Sequence, residues 1–275
     1  MGTGYGMERE FHNLGILYAD QGKLDEAEKM CQRALLGSEK AWGRDHMSTL
    51  STVNNLGNLY QDQGKLDEAE KMYQRALQGY EKAWGPNHTS TLETVHNFGV
   101  LYARLGKLDD AGKMYQRALQ GKEKALGPDH TTTLNTVVCL GSLYNSQGRL
   151  DDAEKMYQRA LQGYEKAVGL ENVARYQPAL MTMSNLGNLF AAQGHLDKAE
   201  EMYTRACTGY RALLGPSSDQ CQCLETQIAS LDLTQGTPDS IRVRAEGTDI
   251  QVDLDRNAKK KSRSVVGNFM RKLFR

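Results

Sequence analysis

The chain has 275 residues, with 34 basic and 34 acidic side chains and a formal charge of zero. No stretch approaches the roughly 18 apolar residues of a membrane span, and the opening MGTGYGMEREFHNLG lacks the apolar core of a secretory leader. Five cysteines (Cys31, Cys139, Cys207, Cys221, Cys223) without C-x-x-C spacing exclude a disulfide framework or zinc site and predict free thiols in a reducing, cytoplasmic setting.

One unit is spelled five times. The first carries Leu14-Gly15 and then LDEAEKMCQRALLGSEKAWGR from Leu24. The second carries Leu56-Gly57 and LDEAEKMYQRALQGYEKAWGP from Leu66; the third, Phe98-Gly99 and LDDAGKMYQRALQGKEKALGP from Leu108. The fourth carries Leu140-Gly141 and LDDAEKMYQRALQGYEKAVGL from Leu150, and the fifth Leu186-Gly187 and LDKAEEMYTRACTGYRALLGP from Leu196. The Leu-Gly or Phe-Gly pairs step by 42, 42, 42 and 46 residues. A fixed period of this size predicts a solenoid.

Each unit reads as two helices. In the second, Leu50, Val53, Leu56 and Tyr60 share one helical face. Gln63-Gly64 stops that helix, Asp67 with Glu70 is the expected start of the next, and Gly85-Pro86 ends it. Leu66, Ala69, Met72, Tyr73, Ala76, Leu77, Tyr80 and Ala83 form its apolar stripe, and the small Gly57 and Ala69 predict close helix contact. A lone hairpin leaves apolar surface on both sides, so stability is expected from stacking neighbours. Units are expected near 7–43, 47–85, 89–127, 131–169 and 175–215. The linker before the fifth, GLENVARYQPALMTM, is four residues longer and lacks the Gly-Pro-x-His pattern of WGPNHTSTL and LGPDHTTTL. It is expected to change the local curvature or extend a helix. GPSSDQCQCLETQIASLDLTQG, from Gly215, reads as a polar capping helix over 217–235, closing a solenoid of 1–236.

The period vanishes in the tail, 237–275. IRVRAEGTDIQVDL (241–254) alternates like a hairpin, although disorder is an equal expectation. The segment 258–275 is basic and amphipathic: Lys259, Lys260, Lys261, Arg263, Arg271 and Lys272 give charge, and Phe269 and Phe274 lie on an apolar face. Eight basic and no acidic residues in 256–275 leave the first 255 with 26 basic against 34 acidic. Such a tail could contact an anionic membrane, a partner, or its own acidic solenoid. The acidic body disfavours nucleic acid.

Leu56-Gly57, Tyr60, Ala69, Tyr73, Ala76 and their counterparts resemble the tetratricopeptide repeat, over about residues 7–236. The period of 42 and the linkers resemble the kinesin light chain subgroup, and the arrays of fungal nucleotide-binding signalling ATPases are similar. The resemblance implies an all-α, right-handed solenoid of five helical hairpins plus a C-terminal capping helix. It also implies a concave groove lined by the first helix of each unit.

In that family the residue before the Leu-Gly pair looks inward: here Asn13, Asn55, Asn97, Cys139 and Asn185. Three residues on come Ile16, Asn58, Val100, Ser142 and Asn188. Asparagine is poor in helix interiors, and a row of amides can hold the backbone of an extended peptide. The other reading is that copied units carried the asparagines along to bond neighbouring helices. The family's carboxylate clamp requires basic groove positions. Here Arg9, Ser51, Glu93, Asn135 and Met181, and then Asp20, Asp62, Arg104, Ser146 and Ala192, occupy them. This favours a neutral or basic peptide over a chaperone's carboxylate terminus.

His46, His88 and His130 fall one per unit, too far apart for one metal, and are expected to pack or bond at a helix end. Trp42 and Trp84 alternate with Leu126, Val168 and Leu214 at one position, which predicts core. No P-loop, dinucleotide fingerprint, metalloprotease or nucleophile-elbow motif occurs. No enzyme, cofactor, metal or small-molecule substrate is expected. The reading is a non-catalytic adaptor of kinesin light chain type that binds a protein or peptide. The alternative is a sensor or oligomerisation arm of a nucleotide-binding signalling ATPase.

Overall fold

The computed structural model describes residues 7–235, all in helices and short connections. The tail positions and the possible hairpin 241–254 lie outside the described residues.

Five hairpins follow one another: α1 (Met7–Asp20) with α2 (Leu24–Trp42), α3 (Met47–Asp62) with α4 (Leu66–Trp84), α5 (Thr89–Arg104) with α6 (Leu108–Leu126), α7 (Thr131–Ser146) with α8 (Leu150–Val168), and α10 (Gln177–Ala192) with α11 (Leu196–Leu214). A short α9 (Leu170–Val173) occupies the longer linker, and α12 (Asp219–Gln235) covers α11. The extra residues therefore form a separate turn of helix and do not prolong α8. Each second helix packs on the first helix of the next hairpin. The first helices of successive hairpins also touch, α3 with α5, α5 with α7 and α7 with α10, more closely than the second helices do.

The hairpin interior explains the small residues. A Cβ on Gly57 would stand 2.5 Å from the Tyr73 ring, and one on Gly79 would stand 2.5 Å from Leu50 Cδ2. Between hairpins, Tyr73 meets Phe98 at a ring separation of 5.6 Å. Cys31, standing where later units have tyrosine, packs with Leu56 and Leu59. Cys31 and Cys207 are buried, Cys221 is buried and Cys223 exposed.

The linkers have their own chemistry. Gly85, at φ 86°, ends α4 in a region other residues avoid. The next helix is capped by the histidine: Nδ1 of His46, His88 and His130 accepts from the backbone N–H of Ser48, Ser90 and Thr132 at 3.2, 3.2 and 3.3 Å. Thr91 Oγ1 reaches back to donate to the Gly85 carbonyl at 2.9 Å. The tryptophans are not core. Trp84 is exposed, and Trp42 and Trp84 lie against the capping histidines with ring centroids 5.4 Å apart. Asp67 does not cap α4 either; the cap position is Lys65, and Asp67 sits in the first turn, where its charge suits the helix dipole.

On the second-helix side, Arg75 reaches Glu39 and Arg159 reaches Glu123, both at 2.5 Å, and Arg117 reaches Glu81. Half-exposed pairs of this kind are worth little singly, about 0.2–1 kcal/mol, but each joins one hairpin to the one before.

Candidate functional site

The first-helix row is built from two registers of polar side chains. The first joins hairpins. His12 sits one residue before the Asn13 position. Its Nε2 accepts from Asn55 Nδ2 at 3.1 Å, and its Nδ1 lies 3.3 Å from Thr52 Oγ1. Thr52 Oγ1 donates to the Ser48 carbonyl at 3.1 Å, so the ring donates to it through Nδ1–H. In the next layer Asn54 Oδ1 accepts from Asn97 Nδ2 at 3.3 Å and lies 3.1 Å from Thr94 Oγ1. In the third, His96 Nδ1 lies 3.1 Å from Thr136 Oγ1. Val138 takes the equivalent position in the fourth hairpin and offers no polar atom. Asn185, its counterpart across the seam, is buried, and its Nδ2 has no partner among the described residues.

The second register joins the helices of one hairpin. Tyr73 OH donates to Asn58 Oδ1 at 2.7 Å, Tyr157 OH to Ser142 Oγ at 3.0 Å, and Tyr203 OH to Asn188 Oδ1 at 2.7 Å. The third hairpin has Val100 there, and the Tyr115 hydroxyl pairs with Cys139 of the next hairpin instead. Burial pushes the Cys139 thiol up to about 11, which favours the neutral thiol over the thiolate at neutral pH.

The asparagines singled out from the sequence thus divide. Asn13 and Asn58 are exposed and Asn188 half-buried, with Asn188 Oδ1 also accepting from Gln227 Nε2 of the capping helix at 3.0 Å. Asn55 and Asn97 are half-buried and tie neighbouring hairpins together. Arg104 is half-buried; it donates to the Gln61 carbonyl at 2.7 Å and lies 3.6 Å from Asp62, closing the seam of hairpins two and three.

Three of the positions compared with the carboxylate clamp pair with the second helix of their own hairpin, Ser51 half-buried and Glu93 and Asn135 still exposed. Ser51 pairs with Tyr80, Asn135 Oδ1 accepts from Tyr164 OH at 2.7 Å, and Glu93 accepts from Lys122 at 2.7 Å. Sequence reasoning missed His12, Asn54 and His96 as the other half of the seam. The same spacing of 42 residues, read one position earlier, carries that signal.

Among the described residues no group of three or more His, Cys, Asp and Glu could hold a metal, and no helix is long and apolar enough to cross a membrane. Successive helical hairpins stacked in this way form an α-solenoid, the architecture of a protein–protein interaction scaffold. The sequence model of the tetratricopeptide repeat matches residues 10–82, 49–124 and 90–166, and a second model of the same repeat matches 179–219. The chain belongs to the tetratricopeptide repeat family. No curated protein sequence matches it significantly. Similar solved structures include BtubC (BKLC) from P. vanneervenii, at 22% identity over 89% of this chain and 86% of that one, TM-score 0.61. A kinesin light chain-like protein of Podosopora anserina with nearly identical repeats is 20% identical over 77% of this chain and 98% of its own, TM-score 0.59. A thermophilic protein of the same repeat class from Thermus thermophilus is 18% identical over 82% of this chain and 99% of its own, TM-score 0.58.

Proposed function

We propose that the chain is a non-catalytic adaptor that holds an extended protein segment along its first-helix row. The carrying observation is Asn58. It is exposed, and its oxygen is already taken by Tyr73 OH, which turns the amide NH2 into a donor held ready for a ligand carbonyl. Asn188, half-buried, is held by Tyr203 in the same register, and Asn13 adds an exposed amide in the neighbouring register. Asn55, Asn97 and Arg104 tie neighbouring layers together. Donors fixed before binding lose little rotamer freedom on capture, which favours affinity. An adaptor of kinesin light chain type is the form supported by the 42-residue period and by the likeness to the Podosopora protein.

The test is a peptide-library selection against the full chain, repeated with Asn58→Ala/Asn188→Ala. Peptides captured by the parent and lost by the variant, at equal melting temperature, are expected. Equal capture by both proteins overturns the reading.

A further inference from the structure

The outer ladder of ion pairs has one missing rung. Glu39, Glu81 and Glu123, at one position of successive second helices, each receive the arginine of the following hairpin. Glu165 holds the same position in α8, and its expected partner is Arg205 of α11. Arg205 instead lies 3.8 Å from Glu201, four residues back on its own helix. Among the described residues Glu165 has no basic partner.

Two features of the sequence cause this. The four extra residues before α10 include α9, inserted between α8 and the last hairpin. The charge pattern of α11 is also reversed. Where earlier hairpins have Lys29, Lys71, Lys113 and Lys155 four residues before the arginine (Arg33 in the first), α11 has Glu201. A lysine there repels the arginine toward the preceding hairpin, whereas a glutamate holds it. Lys198, replacing an acidic residue, lies over the Phe190 ring at 5.3 Å.

A cleft of about 340 Å³ lies between α8, α10 and α11, floored by Leu161, Phe190 and Met202; Glu154, Glu165 and Glu201 edge it, and so do Lys198 and Arg205. The molecule itself shows three times what this glutamate position takes, namely a guanidinium. We propose that the cleft binds a partner peptide in which an arginine adjoins a large aliphatic side chain. The arginine replaces the absent rung on Glu165, and the aliphatic group covers Met202. This site is on the second-helix side and is independent of the asparagine row.

The probe is acetyl-Leu-Arg-Leu-amide, titrated into full-length protein labelled at methionine methyls and read by NMR. Saturable movement of the Met202 methyl is expected. Replacing arginine by neutral citrulline, or Glu165→Gln with an unchanged melt, should each weaken binding about fivefold. Asn58→Ala should leave it unchanged. Equal affinity for the citrulline peptide, no effect of Glu165→Gln, or a Met202 methyl that stays still overturns the proposal. So does a Met202 signal that shifts with protein concentration alone, which would mean a second copy fills the cleft.

Discussion

Lys122 Nζ donates to Glu93 Oε2 at 2.7 Å, in the place where the second and fourth hairpins set Tyr80 against Ser51 and Tyr164 against Asn135. The lysine is almost wholly buried and also reaches Thr136 Oγ1 at 3.3 Å. Glu93→Ala removes the charge opposite that ammonium; because Glu93 is half-exposed, the cost should be about 1–3 kcal/mol. Glu93→Asn/Lys122→Tyr, which copies the fourth hairpin, should recover most of the loss. Urea denaturation of the parent and the two variants checks this; a double variant no more stable than Glu93→Ala would refute the pairing.

His96 gives the array a predicted acid weakness. It faces Thr136, the Tyr115 ring, Lys122 and Glu93; burial first, and then the Lys122 charge, push its pKa down to about 4. The folded state thus keeps the ring neutral while the unfolded chain protonates it near 6.5. Between these values the unfolded state binds more protons, so stability falls as pH falls, by at most about 1.4 kcal/mol per unit. Glu93 is pushed up by burial but more strongly down by Lys122 and His96, so its contribution is lost only below its ordinary 4.5. His96→Asn, copying Asn54, should keep the Thr136 contact and flatten the profile between pH 6.5 and 4, apart from the share due to His12, which burial also lowers. Melting temperatures across that range decide the matter.

Equivalent leucines of the first and second hairpins should respond differently to truncation. Leu14 and Leu17 are 39% and 50% exposed, while Leu56 and Leu59, one unit later, are 1% and 4% exposed beneath α2. Leu56→Ala should cost about 2–5 kcal/mol and Leu17→Ala about 0.5 kcal/mol or less. A Leu17→Ala loss as large as that of Leu56→Ala would show that something covers α1 in solution.

Two glycines in helices should behave oppositely. Gly57→Ala drives a methyl into the Tyr73 ring and should destabilise by about 1–3 kcal/mol. Gly112 has only Leu143 Cδ2, at 3.4 Å, near a built Cβ, and other units carry Glu28, Glu70 and Glu154 there. Gly112→Ala should stabilise by about 0.5–1 kcal/mol. Thermal melts of both variants provide the check.

The hairpins were legible because the apolar stripe and the terminating glycines repeat in every unit, so each helix is argued five times over. The roles of single polar residues were less so. Asn55 and Asn97 were readable as candidates for the inner row, but a period of 42 does not say whether an amide meets solvent or the next layer. That depends on what stands opposite, and the partners His12 and Asn54 lie 43 residues away in sequence. Trp84 reads as core because it alternates with leucine and valine; its exposure follows from its place at a helix end, where it stacks on a capping histidine. The missing rung needed coordinates, since the spacing shows an insertion but not which ion pair yields to it.

The seams between the second, third and fourth hairpins share one helix packing and one glutamate–arginine rung, although their polar pairs differ. Excising one such unit, or doubling it, would let the flanking pieces rejoin through the same helix packing, shortening or lengthening the array in fixed increments. The junction at α9 is the exception: it does not match the others, so units on either side cannot be shuffled through it, and it serves as a fixed landmark in an otherwise adjustable ruler.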